Sequence, residues 1–396
     1  MIQRLRFTNF RSHQDTTLGL HPITLLLGPV AAGKSNVFKG LLLLQNTVHS
    51  SLMELFPPGL GEFDLVRSRW ASQTDPIGFE VDLCHLKAFP EQKARYIVKL
   101  ATAPRGHYVL EESLQQQERD SAWRWVFRRF AQDKQSIGEF GNVDSHEPTM
   151  LNLVWHQDQR MDHSAQAVSF ARETARSLSS FGYFHFEASQ LKSAGEGEPV
   201  DRVSYYGNRL PDFIGWAKSD PKGAPVYQAI LREMQELLPG LSKINVIKAR
   251  PDEQSIAFSF EGQNGYIAAP DFSDGTLFTL GLLCIIHGPR APQHLCIEEP
   301  ETGLHPGRLR WLFDRLVELA YPPEGRAPIQ VLLSTHAPYL VDLFGDMPEC
   351  VQIVDQQRGR SRVTSLAEIE KAKLHEPLER DEPIGRLWAT GLYENL

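Results

Sequence analysis

The chain has 396 residues, 41% hydrophobic and 23% charged, which is enough to bury a large core in one or two domains. Its net charge of -8 gives no general attraction to nucleic acid, although an acidic protein can still carry a local basic patch. Four widely spaced cysteines, no C-x-x-C pair, no secretion signal and no apolar run of membrane-spanning length predict a cytoplasmic protein without a membrane contact.

The first segment predicts a strand, a glycine loop and a helix. Leu5 and Phe7 alternate with polar residues, as in a half-buried strand, and the apolar run 23–27 is typical of a strand buried on both faces. The stretch GPVAAGKS (28–35) follows and fits the phosphate-loop pattern G-x-x-x-x-G-K-[ST]. Beyond it, apolar residues recur at helical spacing: Val37, Leu41, Leu44 and Val48. A glycine–lysine turn without a ligand is the weaker alternative in this context.

The chemistry of such a loop depends on its backbone. Successive N–H groups converge on the β- and γ-phosphates of a nucleotide, aided by the positive end of the helix that follows. Gly33 allows a close approach, Lys34 neutralises phosphate charge, and the Ser35 hydroxyl can ligate Mg²⁺. The loop therefore predicts a nucleotide bound together with magnesium.

Alternating apolar residues after the helix predict antiparallel strands. Their inward positions are expected at Phe79, Val81 and Leu83, at Tyr96, Val98 and Leu100, and at Tyr108 and Leu110. The acid pair Glu298–Glu299 lies much further along the chain from the phosphate loop than a compact nucleotide domain requires. We therefore predict an N-terminal half (1–110), an inserted, mainly helical arm (111–242) and a C-terminal half (243–396) of one nucleotide-binding domain.

Within the arm, helices are predicted at three places. SAWRWVFRRFAQ (121–132) puts Trp123 and apolar residues on one helical face and arginines on the other, and further helices are expected at 165–180 and 225–238. The arginines at 124–129 have two interpretations. A solvated helix face is the simpler one, and a nucleic-acid surface with interleaved tryptophans is the alternative.

Three polar motifs occur where strands alternate with helices, from Ile256 to about residue 355. In HLCIEEPETGLHP (294–306), Glu298 follows a strand and can hold the Mg²⁺ shell, while Glu299 can orient or deprotonate water. A solvated acidic loop is the alternative. In VLLSTHAPYLVD (331–342), His336 ends a strand where a γ-phosphate sensor belongs, the alternative being an ordinary histidine.

The remaining motif is DFSDGTLFTLGLL (271–283). Ser273 or Asp274 is expected to cap a helix whose free N–H groups point outward. The simple interpretation is a capped helix. The functional one is a second anion site, used on the nucleotide of another subunit.

In this order the motifs resemble ABC-type ATPases of the SMC, RecF and OLD branch. They are most similar to the short bacterial AAA-type ATPases of DNA repair or anti-phage defence. NFRSH (9–13) resembles the first motif of SMC-like repair ATPases, and SDGT stands where transporters have LSGGQ. FHFEASQL (184–191) and IGRLWATGLYENL (384–396) are similar to the same group.

This resemblance implies an α/β P-loop NTPase fold of ABC/SMC-like type, with a mixed sheet, an antiparallel β subdomain and an inserted helical arm. It implies ATP and Mg²⁺ as ligands, with Arg11 near the nucleotide and the following residues around the phosphates: Gly28, Pro29, Val30, Ala31, Ala32, Gly33, Lys34, Ser35 and Asn36. The implied catalytic residues are Lys34, Glu299 and His336, and the implied metal ligands are Ser35 and Glu298.

The resemblance also implies an assembly. Ser273, Asp274 and Gly275 would complete the site of a facing subunit, so that ATP lies between two chains of a homodimer or a higher even-numbered assembly. The implied function is an ATPase that drives or gates a separate effector protein. The alternative is a slow, nucleotide-gated scaffold that holds or releases an effector such as a nuclease, and DNA binding is left open.

Three departures from the family pattern bear on turnover more than on binding. Val30 and Ala31 replace asparagine and glycine of the common GPNGSGKS, and Glu298 replaces an aspartate. Gln73 is only a candidate for the Q-loop glutamine. The order of the motifs and their residues agree less well with a hexameric AAA+ motor or a transporter ATPase.

Overall fold

The computed structural model of this chain describes residues 1–56, 62–104, 106–119, 121–131, 137–138, 146–156, 164–250, 253–302, 304–373, 385 and 388. The chain divides into two compact units. The first combines Met1–Phe181 with Val317–Leu396, and the second is Gly182–Leu316.

The strands are β1 (Ile2–Phe10), β2 (His13–Gly19), β3 (Ile23–Leu27), β4 (Ile77–Leu83), β5 (Gln92–Ala103), β6 (Gly106–Glu118), β7 (Arg124–Phe130), β8 (Ile137–Gly138), β9 (Phe181–Phe184), β10 (Leu241–Arg250), β11 (Glu253–Phe260), β12 (Ile267–Ala268), β13 (His294–Glu298), β14 (Gln330–Thr335), β15 (Val351–Gln357) and β16 (Arg360–Ser365). The α-helices are α1 (Lys34–His49), α2 (Phe63–Val66), α3 (Met150–Trp155), α4 (Ala165–Leu178), α5 (Ala188–Leu191), α6 (Leu210–Ser219), α7 (Ala224–Leu237), α8 (Asp274–His287), α9 (Pro306–Ala320), α10 (Pro338–Asp342) and α11 (Leu366–Lys373).

An antiparallel sheet in the first unit runs in the order β2-β1-β4-β5-β6-β7-β8. Its strands alternate as predicted: Leu5 and Phe7 of β1 are buried, while Arg6 on the other face pairs with Asp15 of β2 at 2.8 Å. The prediction that Tyr108 and Leu110 face inward is wrong, because the buried side chain near the start of β6 is Val109. The β5–β6 pairing shifts register between Lys99 and Leu100, and this irregularity changes which β6 residues face inward.

A mixed sheet in the same unit places the phosphate loop. The buried strand β3 lies between β14 and β15, parallel to both, and β16 pairs antiparallel with β15. Because the carboxyl ends of parallel strands meet at one edge, the loops after β3 and β14 lie at the same edge of this sheet. The predicted mixed α/β fold with an antiparallel β subdomain is confirmed.

The predicted helix at 121–132 is wrong, because Arg124–Phe130 forms strand β7. Seven residues rich in tryptophan, valine and phenylalanine have high β propensity, and the edge of β6 offers them a partner. Arg129 was placed on a solvated helical face, but its side chain is 4% exposed and lies 3.1 Å from the buried carboxylate of Glu112. Residues 111–118 and 124–130 are therefore part of the antiparallel sheet.

The two later helices of the predicted arm are confirmed as α4 and α7. The second unit holds a three-stranded antiparallel sheet, β10-β11-β12, and a pair formed by β9 and β13. The division at residues 110 and 242 stays a prediction. Among the described residues, none of the helices combines the length and the apolar character that a membrane crossing requires.

Candidate functional site

The phosphate loop occupies the predicted place between β3 and α1, and two of its glycines are required by their surroundings. A Cβ on Gly28 would lie 2.1 Å from the Val354 carbonyl oxygen. Gly33 has φ 111°, in the left-handed region, and a Cβ there would lie 2.1 Å from Ser361 Oγ. The backbone of β15 and the side chains of β16 therefore press directly against the loop.

The carbonyl oxygens of the loop accept hydrogen bonds from surrounding side chains. Lys34 Nζ donates to the Gly28 carbonyl at 2.7 Å and to the Pro29 carbonyl at 2.9 Å. Three further carbonyls of the loop are contacted by Gln356 Nε2 (Ala31 O, 3.4 Å), Ser361 Oγ (Ala32 O, 2.6 Å) and His13 Nε2 (Gly33 O, 3.1 Å).

This arrangement directs the N–H groups of the loop. In a trans peptide the N–H points away from the C=O of the same unit, and none of the peptide bonds in the described part of the chain is cis. Holding the carbonyls of Ala32 and Gly33 against side chains therefore turns the N–H groups of Gly33 and Lys34 the other way, at the positive end of α1, while the Ala32 N–H donates to the Pro29 carbonyl at 3.3 Å. Converging N–H groups at a helix N-terminus form an anion site.

The predicted ligands around the loop differ in exposure. Ser35 is exposed, so its hydroxyl is available to a metal ion, and Val30 is 79% exposed. Asn36 Nδ2 donates to Ser12 Oγ at 2.8 Å, which fixes its side chain on the chain segment before β2. Ala31 has φ 65°, a conformation that glycine adopts without strain and alanine does not.

Arg11 and His336 also lie in the first unit. Arg11 has φ 51°, its guanidinium lies 6.0 Å from the centre of the Phe10 ring, and burial lowers its pKa. His336 is exposed and follows directly on Thr335, which is the register partner of Leu27 at the end of β3. The structure thus brings His336 to the edge of the sheet from which the phosphate loop starts.

Sequence reasoning missed His13, Ser361 and Gln356 as supports of the loop. His13 is fully buried, and burial lowers its pKa to about 4, so the imidazole is neutral near pH 7. Since a neutral ring donates through one nitrogen, Nε2 carries the proton that bonds Gly33 O. Only NFRSH offered a signal for His13, whereas Ser361 and Gln356 come from a hairpin without a recognisable motif.

The predicted acid pair lies in the second unit, at the end of β13. The Glu298 side chain is 10% exposed, and His185 Nδ1 lies 3.4 Å from its Oε2. Glu299 has φ 46°, the left-handed region, which is uncommon for a residue with a side chain and is typical of functional turns.

Two tyrosines, Tyr183 and Tyr205, lie near Glu298. Burial, followed by the charge of Glu298, raises the pKa of Tyr183, and burial raises the pKa of Tyr205 to about 12. The two rings lie 4.5 Å apart. Both hydroxyls are therefore protonated at neutral pH and can act as hydrogen-bond donors. FHFEASQL, which carries His185, was noted in the sequence without a role, and its position beside Glu298 supplies one.

The SDG motif begins helix α8, as predicted. The Ser273 hydroxyl accepts the Thr276 N–H at 3.2 Å and is the N-cap. Asp274 lies 2.7 Å from Lys192 Nζ, and Arg308 donates to Thr276 Oγ1 at 2.8 Å. The start of α8 therefore combines helix N–H groups with two cations.

In the part of the chain that the structure describes, no group of three or more His, Cys, Asp or Glu side chains could hold a metal ion. Magnesium in nucleotide sites commonly takes one or two protein oxygens together with phosphate oxygens and water, and the exposed Ser35 hydroxyl is an oxygen donor of that kind. Gln73 accepts a hydrogen bond from Arg67 through its backbone carbonyl. The motif at 384–396 lies outside the described residues, apart from Gly385 and Trp388.

Comparison with known proteins identifies a family and finds solved structures with a similar fold. A family model described as "AAA domain, putative AbiEii toxin, Type IV TA system" matches residues 23–342. An SMC head bound to the C-terminal winged-helix domain of ScpA shares 13% identity and a TM-score of 0.53, covering 93% of this chain and 99% of that chain. An SMC head with an extended coiled coil from Pyrococcus furiosus, bound to the C-terminal domain of ScpA, has 13% identity and a TM-score of 0.51, covering 94% and 98%. No curated protein sequence matches.

Proposed function

We propose that this chain, which belongs to the AAA domain family matched over residues 23–342, is an ATP hydrolase. The observation that carries the proposal is the phosphate loop at the start of α1, where the Ala32 carbonyl is held by the Ser361 side chain so that the Gly33 N–H of the same peptide points the other way. The fold, which is that of SMC head ATPase domains, supports a nucleotide as that anion.

The proposed roles follow the motifs. Lys34 and the loop N–H groups bind the β- and γ-phosphates, with Arg11 nearby, and His336 contacts the γ-phosphate. Ser35 and Glu298 hold Mg²⁺, which neutralises phosphate charge when bound. Glu299 orients the attacking water and takes its proton as oxygen attacks the γ-phosphorus, and ADP leaves with the β–γ bridging oxygen.

His185 and the tyrosines support the Glu298 side chain, which is longer than the usual aspartate. An imidazole and protonated hydroxyls beside the carboxylate orient it before a metal ion binds, as neighbouring groups do for other metal-binding side chains. Glutamate in place of aspartate is therefore compatible with the proposed metal role.

Steady-state ATP turnover tests the proposal and separates it from a nucleotide-gated scaffold. An ATPase is expected to release phosphate at a rate that Mg²⁺ supports and chelation abolishes. Tight ATP binding by calorimetry together with negligible phosphate release would favour the scaffold. Absence of ATP binding would contradict both.

We further propose that ATP is bound between two copies of the chain in the cytoplasm, with Ser273, Asp274 and Gly275 facing the γ-phosphate of the partner subunit. The support is the start of α8, where N–H groups, Lys192 and Arg308 lie together. Glu299→Gln is then expected to accumulate as a dimer with ATP, and adding Gly275→Glu to return it to the assembly state without nucleotide. Light scattering measures this, with apo melting temperatures as the control for folding. Assembly that ignores both ATP and Gly275 would contradict the dimer.

We propose that hydrolysis gates a separate effector in DNA repair or anti-phage defence. The family description names a toxin of a type IV toxin–antitoxin system, and the similar SMC heads are bound to ScpA domains. The neighbours of the coding sequence test the pathway. A neighbouring gene for a nuclease or reverse transcriptase would favour defence, and neighbouring repair genes would favour repair. If neither is present, the proposal of an effector encoded alongside is contradicted.

A further inference from the structure

A hydroxyl pair outside the phosphate loop contacts one of its peptides. Ser361 lies on β16 and is 6% exposed. Its Oγ is 2.6 Å from the Ala32 carbonyl oxygen and 2.7 Å from Ser12 Oγ, and its backbone N–H donates to the Ser12 carbonyl at 2.8 Å. Three segments that are distant in sequence therefore meet at this point.

The hydrogen bonds of this cluster have one consistent assignment of donors and acceptors. Asn36 Nδ2 can only donate, so Ser12 Oγ accepts from it at 2.8 Å. The single proton of Ser361 Oγ is used on Ala32 O, because a carbonyl cannot donate. Ser12 therefore donates to Ser361, and the direction runs from Asn36 through Ser12 and Ser361 to the Ala32 carbonyl.

The last acceptor in this order is the one that matters for an anion. The Ala32 carbonyl and the Gly33 N–H belong to one planar trans peptide and point in opposite directions. Gly33 has φ 111°, and glycine backbones can rotate more freely than others. A bond that fixes the carbonyl therefore also fixes the direction of the Gly33 N–H.

The hairpin that carries Ser361 is itself tied to the same region. Thr16 Oγ1 donates to the Ser361 carbonyl at 3.2 Å, and Gln356 Nε2 contacts the Ala31 carbonyl at 3.4 Å. The position of Ser361 is thus set by β2 and β15 together. Neither donor, Thr16 or Gln356, belongs to the phosphate-loop motif or was assigned a role by the resemblance.

We propose that Ser12 and Ser361 are positioning residues for the nucleotide: their linked hydroxyls hold the Ala32–Gly33 peptide so that its N–H faces the phosphates. This rests on the proposed function, namely that the loop binds ATP. The pair acts through the peptide and does not touch the ligand. It makes the β15–β16 hairpin, more than three hundred residues downstream, a structural part of the phosphate site.

Calorimetric titration of ATP into the full chain tests the pair, with Ser361→Ala, Ser12→Ala and the double variant compared with wild type. A neutral hydrogen bond has a net value that corresponds to roughly five- to ten-fold in affinity, so each single variant is expected to bind ATP about that much more weakly. Because both hydroxyls act through one bond to Ala32, the double variant is expected to lose no more than about the same factor. Ser365→Ala, on the same strand, is the matched control and should bind as wild type.

Kinetics and the Ser365→Ala control distinguish positioning from general support. Positioning predicts a raised KM for ATP and a nearly unchanged kcat, because phosphates are held in both the ground and transition states. Loss of one buried hydrogen bond also lowers the apo melting temperature by only about 2–4 °C, so the variants stay folded in the assay. Equal affinity of wild type and Ser361→Ala would overturn the proposal. So would an equal loss of affinity in Ser365→Ala, or losses that multiply in the double variant. Wild type that binds no ATP would instead contradict the proposed function itself.

Discussion

The phosphate loop and the acid pair are built in different ways. The loop is a backbone structure: five of its carbonyls accept bonds from the side chains of Lys34, Gln356, Ser361 and His13, and these bonds set the direction of its peptides. The acid pair is a side-chain structure, in which Glu298 is held beside His185 among tyrosines. A backbone site is specified by residues that permit one conformation. A side-chain site depends on the neighbours that orient each carboxylate.

The comparison predicts its largest effect on the acid side. Glu299→Gln is expected to keep ATP binding and to lower kcat by about 10²- to 10⁴-fold, since an amide cannot take the proton of the attacking water. Phosphate release at saturating ATP, together with calorimetry, measures both quantities. Glu301→Gln, two residues further along, is the control and should turn over as wild type. If the two variants behave alike, the acid roles are assigned wrongly.

The loop side should respond in binding. Lys34→Ala removes two charge-assisted bonds to the Gly28 and Pro29 carbonyls and a cation from the phosphate site. We expect ATP affinity to fall by at least about a hundred-fold while the fold is retained. Lys39→Ala, on the same helix, is the control. Equal ATP affinity of Lys34→Ala and wild type in calorimetry would show that the loop does not bind phosphate.

His13 makes the loop side sensitive to acid. Its pKa is about 4 in the folded chain and 6.5 when unfolded, so the unfolded state takes up the proton first. Its contribution to the free energy of unfolding is present above pH 6.5 and is lost as the pH falls to about 4. That contribution is about 3 kcal/mol.

Urea unfolding of wild type and His13→Gln between pH 4 and 7 measures this contribution. Glutamine keeps an N–H donor for Gly33 O but does not titrate in this range, so the variant should lose less stability toward pH 4. The exposed His305 gives the control, His305→Gln, which should follow wild type. If the free energy of unfolding changes with pH in the same way in wild type and His13→Gln, the buried imidazole does not have this role.

Ala31 should give the smallest effect, and one of opposite sign. Glycine relieves the strain of the left-handed conformation at φ 65°, which is worth about 1–2 kcal/mol. It also makes the unfolded chain more flexible, which lowers the free energy of unfolding by about 0.4–1 kcal/mol. Ala31→Gly is therefore expected to increase the free energy of unfolding by about 0.5 kcal/mol. Ala32→Gly, whose φ is negative, is the control and should lower it. A loss of stability in both variants would show that Ala31 is not strained.

Much of the loop side could be predicted from sequence, because glycine spacing and apolar runs report backbone conformation directly. The strand, loop and helix around Gly28 and Gly33 are confirmed, as is the cap at Ser273. The side-chain partners could not be predicted in the same way. Ser361 and Gln356 reach the loop through strand pairing over long sequence distances, which no local pattern encodes.

The stretch from 121 to 132 shows why local periodicity failed. Over seven residues the apolar side chains fit a helical face and a strand almost equally well, and strand pairing decides between them. The pairing of β7 with β6 buries Arg129 against Glu112, where Tyr96 also donates to the carboxylate at 2.8 Å. From the sequence alone, the two residues of such a buried ion pair are expected to be exposed, because charged side chains usually lie at the surface.

The central claim is that the loop N–H groups bind the β- and γ-phosphates, and calorimetric titration of ATP, ADP and AMP into the wild-type chain with Mg²⁺ tests it most directly. The account predicts that ATP and ADP bind while AMP, which lacks both phosphates, binds at least about a hundred-fold more weakly. AMP binding as tightly as ATP, or no binding of any of the three, would contradict it.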